Sequence, residues 1–185
     1  MKKINDMKKQ KLKKRATRNK NIDDFIRESN SIERVEGLEP FIQAKKAWNY
    51  LKYQKYLTPN KILKIHKILM KDLRPDIAGR YRNCDVWIGG HVKPFISWQL
   101  INDDLENFCK DILIYSQDES LSPKSVVKTS HIQFENIHPF EDGNGRVGRL
   151  IMLWHRIQYR LPIEVIHADY DKGGDEQKNY YKWFR

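Results

Sequence analysis

Within twelve residues this chain places His138, Pro139, Phe140, Glu141, Asp142, Gly143, Asn144, Gly145 and Arg146, followed by Arg149. The group contains one base that titrates near neutral pH, one hard oxygen ligand, a carboxamide, two glycines and two guanidiniums. A site that handles phosphate needs these parts. Gly143 and Gly145 can take backbone angles closed to other residues, so successive N–H groups can turn inward onto an anion. Asp142 offers a carboxylate to Mg2+, an ion that keeps much of its water and leans on substrate phosphates. Arg146 and Arg149 are three apart, so on a helix they share a face and can clamp neighbouring phosphate oxygens. His138 is the group able to accept a proton.

The flanking residues define what must hold this loop. Ser122-Pro123 reads as an N-cap followed by proline at the first helical position. Val126, Val127, Ile132, Phe134 and Ile137 then form an apolar surface up to His138. Downstream, Val147, Leu150, Ile151, Leu153, Trp154 and Ile157 recur at helical spacing as far as Pro162. The loop therefore joins two helices, with its glycines at the N-terminus of the second, where the helix dipole and free N–H groups favour an anion.

The same periodicity predicts a helix from Leu38 to Leu57 with Phe41, Ala44, Ala47, Trp48 and Leu51 on one stripe. A second is capped by Thr58-Pro59, carries Ile62, Ile65, Leu69 and Leu73, and stops at Pro75. A third runs from Ser97 through Leu100, Leu105, Phe108 and Ile112. Cys84 to Ile88 (including Val86 and Trp87) and Val92 to Pro94 flank Gly89-Gly90-His91 and read as a hairpin, lying either flat on the helices or free to pair with another strand. Seven helices and this hairpin give an all-α domain of ordinary size in 185 residues.

Charge is unevenly spread. Residues 1–20 carry ten Lys/Arg and one Asp, which is +9 of the total +11, so residues 21–185 carry only +2. The segment 1–20 reads as a flexible basic tail, with nucleic acid or an acidic partner as the alternative. It has no apolar run, so neither a secretory signal nor a membrane span is expected, and a cytoplasmic setting fits. Cys84 and Cys109 read as reduced thiols. His66, His91, His131, His155 and His167 lie at no zinc-like interval and read as structural or surface residues. Asn21 to Glu36 looks helical, with Ile22, Phe25, Ile26, Ser29 and Ile32 on one face. Glu33 projects beside that stripe with no basic neighbour at helical spacing. It is either an ordinary half-exposed glutamate or an acid whose cation lies elsewhere in the fold.

His138 to Arg149 resembles the signature of the Fic family, and about residues 21–185 share the likeness. Gly79-Arg80-Tyr81-Arg82 with Val86-Trp87-Ile88-Gly89-Gly90 is similar to the family's strand segment, and His131 with Ile137 to its approach to the motif. The resemblance implies a Fic-type helical bundle over 38–185, with the hairpin as a flap holding a target segment beside the site through Val86, Trp87 and Ile88. It also implies an inhibitory helix over 21–37. Ser29-Asn30-Ser31-Ile32-Glu33 fits the family's inhibitory pattern, whose glutamate binds the second arginine, here Arg149; Arg34 stands where glycine or asparagine is usual.

Proteins of this kind transfer AMP from ATP to a hydroxyl of a target protein, or of themselves. By resemblance, the phosphates of ATP would lie over Gly143, Asn144 and Gly145, with Mg2+ on Asp142 and the outer phosphates on Arg146 and Arg149. His138 would accept the proton of a Ser, Thr or Tyr hydroxyl. Tyr180-Tyr181 resembles the aromatic pair that lines the nucleoside pocket. Two alternatives stay open: another donor (UMP or phosphocholine), and a non-catalytic nucleic-acid binder acting through the basic tail.

Overall fold

A fifteen-residue helix that is buried at twelve positions forms the axis of the molecule. A computed structural model describes residues 2–86, 97–168 and 175–184. Among them are helices α1 (Lys2–Ile32), α2 (Leu38–Leu51), α3 (Pro59–Met70), α4 (Ile101–Tyr115), α5 (Pro123–Ile137), α6 (Asn144–Gln158) and α7 (Glu176–Tyr181), and no strand. α6 is the axis. Its Val147, Leu150, Ile151, Leu153 and Trp154 are buried, and it packs on α1, α2, α3 and α5. A helix covered on all sides belongs at the centre of a core. Each apolar side chain it buries contributes about 1.5–3 kcal/mol.

The helices anticipated from periodicity are present, with shifted ends. α2 stops at Leu51, not Leu57. The chain turns there, Gln54 N–H donating to the Leu51 carbonyl at 2.9 Å, and Leu57 returns to the core on the far side of the turn. Trp154 fixes that turn by donating its indole N–H to the Gln54 carbonyl at 3.0 Å. α3 ends at Met70, so Leu73 lies in a turn after it. Residues 98–100 form a single 3-10 turn leading into α4. Thr58 and Ser122 cap α3 and α5 as expected, each side chain accepting an N–H three residues on. Of the expected hairpin, Cys84, Asp85 and Val86 are described and form no strand. Trp87, Ile88 and the rest of the flap lie outside the described residues.

α1 departs most from expectation. It begins at Lys2, not Asn21, and ends at Ile32, not Glu36. No glycine or proline interrupts residues 2–32, and lysine, arginine, glutamine and alanine all favour helix, so the basic segment continues the helix expected from Asn21 onward. Ile22, Phe25, Ile26 and Ile32 of its second half are buried, whereas Thr17 to Lys20 are exposed.

The end of α1 is set by one residue. Val35 N–H donates to the Asn30 carbonyl at 3.0 Å and Arg34 N–H to the Ser31 carbonyl at 2.9 Å, while Arg34 has φ 57°. This pairing is a Schellman ending with Glu33 as the last residue before the left-handed position. That position favours glycine, because a Cβ there costs roughly 1–2 kcal/mol. Arg34 accepts the strain and holds Glu33 at the helix end. Arg34→Gly is expected to stabilise the protein by about 1 kcal/mol, read as a higher urea midpoint; an unchanged or lower midpoint would contradict this account of the turn.

Candidate active site

Proline 139 dictates the first feature of the site. A residue before proline is pushed away from right-handed helix, so α5 must end at His138. His138 takes φ 47° and ψ 61°, and its N–H closes the last turn on the Phe134 carbonyl at 3.1 Å. Nδ1 lies 3.3 Å from the Glu135 carbonyl, which can only accept, so Nδ1 carries the hydrogen and Nε2 keeps its lone pair. Burial pulls the imidazole down to about 4, with Arg82 adding to the effect and Glu33 and Asp142 opposing it. At neutral pH this histidine is an unprotonated base.

The loop's carbonyls are satisfied from outside. Arg82, 2% exposed, donates from Nε to the His138 carbonyl at 2.7 Å, from Nη2 to the Ile137 carbonyl at 3.4 Å and from Nη1 to the Cys84 carbonyl at 3.0 Å. Its own N–H donates to the Pro139 carbonyl at 2.9 Å. His66 of α3 accepts the Gly79 N–H on Nδ1 at 3.0 Å and so donates from Nε2 to the Asp142 carbonyl at 3.1 Å. Phe140 is fully buried and stacks on His66 with centroids 3.8 Å apart. With carbonyls turned outward, the N–H groups are left to face inward.

Asn144 proves to be a brace. Its carboxamide accepts the Phe140 N–H at 2.9 Å and donates to the Phe140 carbonyl at 2.8 Å, so its side chain is committed and only its backbone N–H faces the cradle. The first helical bond of α6 runs from Val147 N–H to the Gly143 carbonyl at 3.0 Å. Asn144, Gly145 and Arg146 therefore present first-turn N–H groups that have no acceptor within the helix. Gly143, at φ 81°, makes the turn, and a side chain there would strike Met70. A side chain on Gly145 would first meet the Glu33 carboxylate.

That carboxylate sits in the cradle. Glu33 accepts from Arg149 Nη2 at 2.6 Å, and Ser29 accepts from Nε through its hydroxyl and from Nη2 through its carbonyl, both at 2.9 Å. The sequence showed that Glu33 lacked a local cation; the fold supplies one 116 residues away. Arg149 is 1% exposed. Burial works against its charge, yet Tyr180 and Glu33 hold its pKa above the ordinary arginine range. Arg146 is buried as well, touching Met70 Sδ at 3.1 Å and standing 3.8 Å from Asp142. Its Nε and Nη1 have no partner. A buried guanidinium with idle donors beside a helix N-terminus marks a place for an anion.

Asp142 fits a hard cation. Oδ1 accepts the Gly143 N–H at 2.6 Å, Oδ2 makes no hydrogen bond, and the side chain is 53% exposed. No group of three or more His, Cys, Asp or Glu occurs together among the described residues. Of common metals this suits Mg2+, which takes one carboxylate and completes its shell with water and phosphate.

Tyr180 and Tyr181 do not act as a matched pair. Tyr180 is 3% exposed, and its hydroxyl lies 2.8 Å from His131 Nε2 and 3.4 Å from Arg149 Nη1. It packs against Trp183 and Phe184 and braces Arg149, whereas Tyr181 is 40% exposed. His131, read as a structural or surface residue, is buried and lies 4.0 Å from Glu135, a carboxyl that burial pushes up to about 8. Arg82, His66 and His131 were the functional neighbours that residue types alone did not single out; proline after His138 was the one clue that its carbonyl needed a donor.

A family model described as the Fic/DOC family matches residues 56–155. A Nematostella vectensis protein named protein adenylyltransferase Fic is 37% identical over 130 residues, covering 69% of this chain and 28% of the relative. One of the same name from Aedes aegypti is 31% identical over 127 residues, covering 69% and 24%. The chain thus spans about a quarter of the length of these relatives. Among solved structures, a Fic domain-containing signaling protein from Bacteroides thetaiotaomicron superposes with a TM-score of 0.74 at 19% identity, covering 89% of this chain and 70% of that one. Fic-1 (residues 134–508) from C. elegans gives 0.66 at 21% identity, covering 87% and 53%. These two likenesses concern the fold.

The buried imidazoles have a consequence for stability. Burial lowers His66 to about 4, His131 to about 3 and His155 to about 4, alongside His138. As pH falls below 6.5, the unfolded chain takes up protons that the native one refuses, so stability is lost between pH 6.5 and about 4. Glu135 works the other way: it binds its proton in the native state up to about 8, offsetting one histidine between pH 4.5 and 6.5. Four against one leaves a net loss of about 1.4 kcal/mol per pH unit for each uncompensated proton. The urea midpoint is expected to drop from pH 7 to pH 5, and a rise would refute the assignment of neutral buried histidines.

Proposed function

The chain belongs to the Fic/DOC family, and on that premise we propose that it transfers AMP from ATP to a hydroxyl side chain of a target protein, releasing pyrophosphate. The observation carrying this reading is the pair of buried guanidiniums at the start of α6, one with idle donors and one held by a carboxylate. Relatives named protein adenylyltransferase support ATP as donor and a protein as acceptor.

His138 Nε2 takes the proton from the target's Ser, Thr or Tyr hydroxyl. The oxygen bonds to the α-phosphorus, and the bond from that phosphorus to the bridging oxygen of pyrophosphate breaks. First-turn N–H groups of Asn144, Gly145 and Arg146 receive the phosphate oxygens, and Arg146 supplies its unpaired Nε and Nη1. Bound Mg2+ on Asp142 would neutralise phosphate charge. An approaching polyanion also raises the pKa of His138 from its low resting value toward the working pH, where a base is most effective. Of the aromatic pair, Tyr181 at 40% exposure has a ring open to stack on a nucleoside.

Glu33 regulates this site. Its carboxylate takes the position and the cation that an outer phosphate requires, so nucleotide binds misaligned or not at all while α1 is seated. The Glu33 side chain is 36% exposed, which lets it leave without unfolding the core. Arg149 then needs a replacement anion, and phosphate provides it.

His138→Ala is expected to lower transfer by about 10²–10⁴-fold with nucleotide affinity within threefold, measured with labelled ATP and by calorimetry. Glu33→Gly is expected to raise transfer, self-modification included, at least tenfold, and to lower the melting temperature of the free protein while enlarging the gain on adding ATP and Mg2+. Intact-mass measurement identifies the transferred group. Mass added by UMP or phosphocholine would replace the donor, and no transfer from any of them would overturn the reading.

A further inference from the structure

The catalytic imidazole stands in a backbone conformation that histidine does not favour, at the end of a helix, before a proline, with no helical neighbour beyond it. Something outside the loop must hold it there. His138 has φ 47° and ψ 61°, and only one backbone bond, its N–H to Phe134, comes from its own helix. Every other backbone constraint on residues 137–139 that the loop receives from residue 82 is a hydrogen bond donated by that residue: Nε to the His138 carbonyl at 2.7 Å, Nη2 to the Ile137 carbonyl at 3.4 Å, and the main-chain N–H to the Pro139 carbonyl at 2.9 Å. Nη1 ties the same guanidinium to the Cys84 carbonyl, so both ends of the side chain are pinned.

We propose that Arg82 is a positioning residue for the transfer reaction: its planar fork grips the carbonyls of Ile137 and His138, its main-chain N–H holds that of Pro139, and together they fix the left-handed turn that aims His138 Nε2 at the incoming hydroxyl. The proposal rests on His138 being the proton acceptor of the function proposed above. The fork geometry is the reason arginine stands here. A guanidinium presents several donors in one plane at fixed angles, whereas an ammonium is a point charge that can follow one carbonyl at a time. Turning these carbonyls outward is also what frees the loop's N–H groups to face the cradle. Arg82 is 2% exposed and the donors named above are spent on main-chain carbonyls, so it acts through the turn and not on the nucleotide.

The charge has a second effect. Groups bearing on His138 are Arg82 from the segment after α3, Glu33 at the end of α1 and Asp142 in the loop, with the Glu135 carbonyl as hydrogen-bond partner. Arg82 is the cation among them, and it disfavours a proton on the imidazole. Removing the charge therefore changes the titration of His138, while keeping the charge and removing the fork changes only its aim.

Arg82→Lys and Arg82→Gln, each in the Glu33→Gly background so that transfer is measurable, separate the two effects. For Arg82→Lys, kcat is expected to fall at least tenfold, with KM for ATP within threefold and the His138 titration, followed by NMR of the free protein, unmoved. For Arg82→Gln, kcat is expected to fall about a hundredfold, and the His138 titration to move up from about 4 by the smaller share that Arg82 contributes, burial keeping it below the ordinary histidine value. An unchanged kcat in Arg82→Lys, or a loss confined to KM, would overturn the proposal. Loss of the folded state in both variants would overturn it too, since Arg82 would then serve the core as a whole. If the parent protein transfers nothing, the proposed activity fails and the positional claim is read from the backbone NMR shifts of residues 137 and 138, which move in Arg82→Lys if the fork holds the turn and stay in place if it does not.

Discussion

A guanidinium buried to 1% exposure cannot stand alone, and the architecture around Arg149 follows from that constraint. Leaving such a charge without an anion costs several kcal/mol, more than most single contacts can return. The fold meets the requirement with Glu33 and Ser29 from α1, and places the same cation at the mouth of an anion cradle. Two anions cannot occupy one cradle. On the proposed function, a carboxylate on a helix and a phosphate on a nucleotide would compete for Arg149, and their exchange would swap one anion for another. Arg146, with two idle donors, shows that Glu33 fills the cradle only in part. A triphosphate has more oxygens to offer.

The loop works by sorting its backbone groups. Carbonyls of Ile137, His138, Pro139 and Asp142 point outward to Arg82 and His66, and the Asn144 carboxamide closes both polar groups of Phe140. With those acceptors satisfied, the first-turn N–H groups of α6 are what remains to face a ligand. Phe140 locks the arrangement by stacking on the same His66 that holds Asp142. His138, Asp142 and the first-turn N–H groups are thus positioned by one packed layer between α3 and α6, and not by the loop's own flexibility.

Much of this was visible in the residues. The spacing of His138, Asp142, Gly143, Gly145, Arg146 and Arg149 is local, so one turn and the start of one helix bring those groups together. Periodicity found the core faces of α2 to α6 because helical burial repeats at fixed intervals. Helix ends were less legible: α2 stops at Leu51 because Trp154, a hundred residues away, pins the turn after it. The Asn144 carboxamide braces Phe140 and leaves its backbone N–H toward the cradle, and residue type alone does not tell which of the two groups is committed. Tyr180 looked like half of an aromatic pocket and is buried against Arg149, since a tyrosine ring shows nothing in sequence of where its hydroxyl ends.

The sequence alone determined the chemistry on offer and the helical frame that carries it, because both depend on residues within a turn or two of one another. It also showed no basic residue at helical spacing from Glu33. Only the tertiary structure decided that the missing cation is Arg149, that Arg82 and His66 hold the loop's carbonyls, and that Tyr180 and His131 stand behind the cradle. Those pairings join residues separated by up to 120 positions. Nothing in local composition encodes such a distance; it is fixed only when hydrophobic burial of α6 draws α1, α3, α5 and α7 onto a common axis.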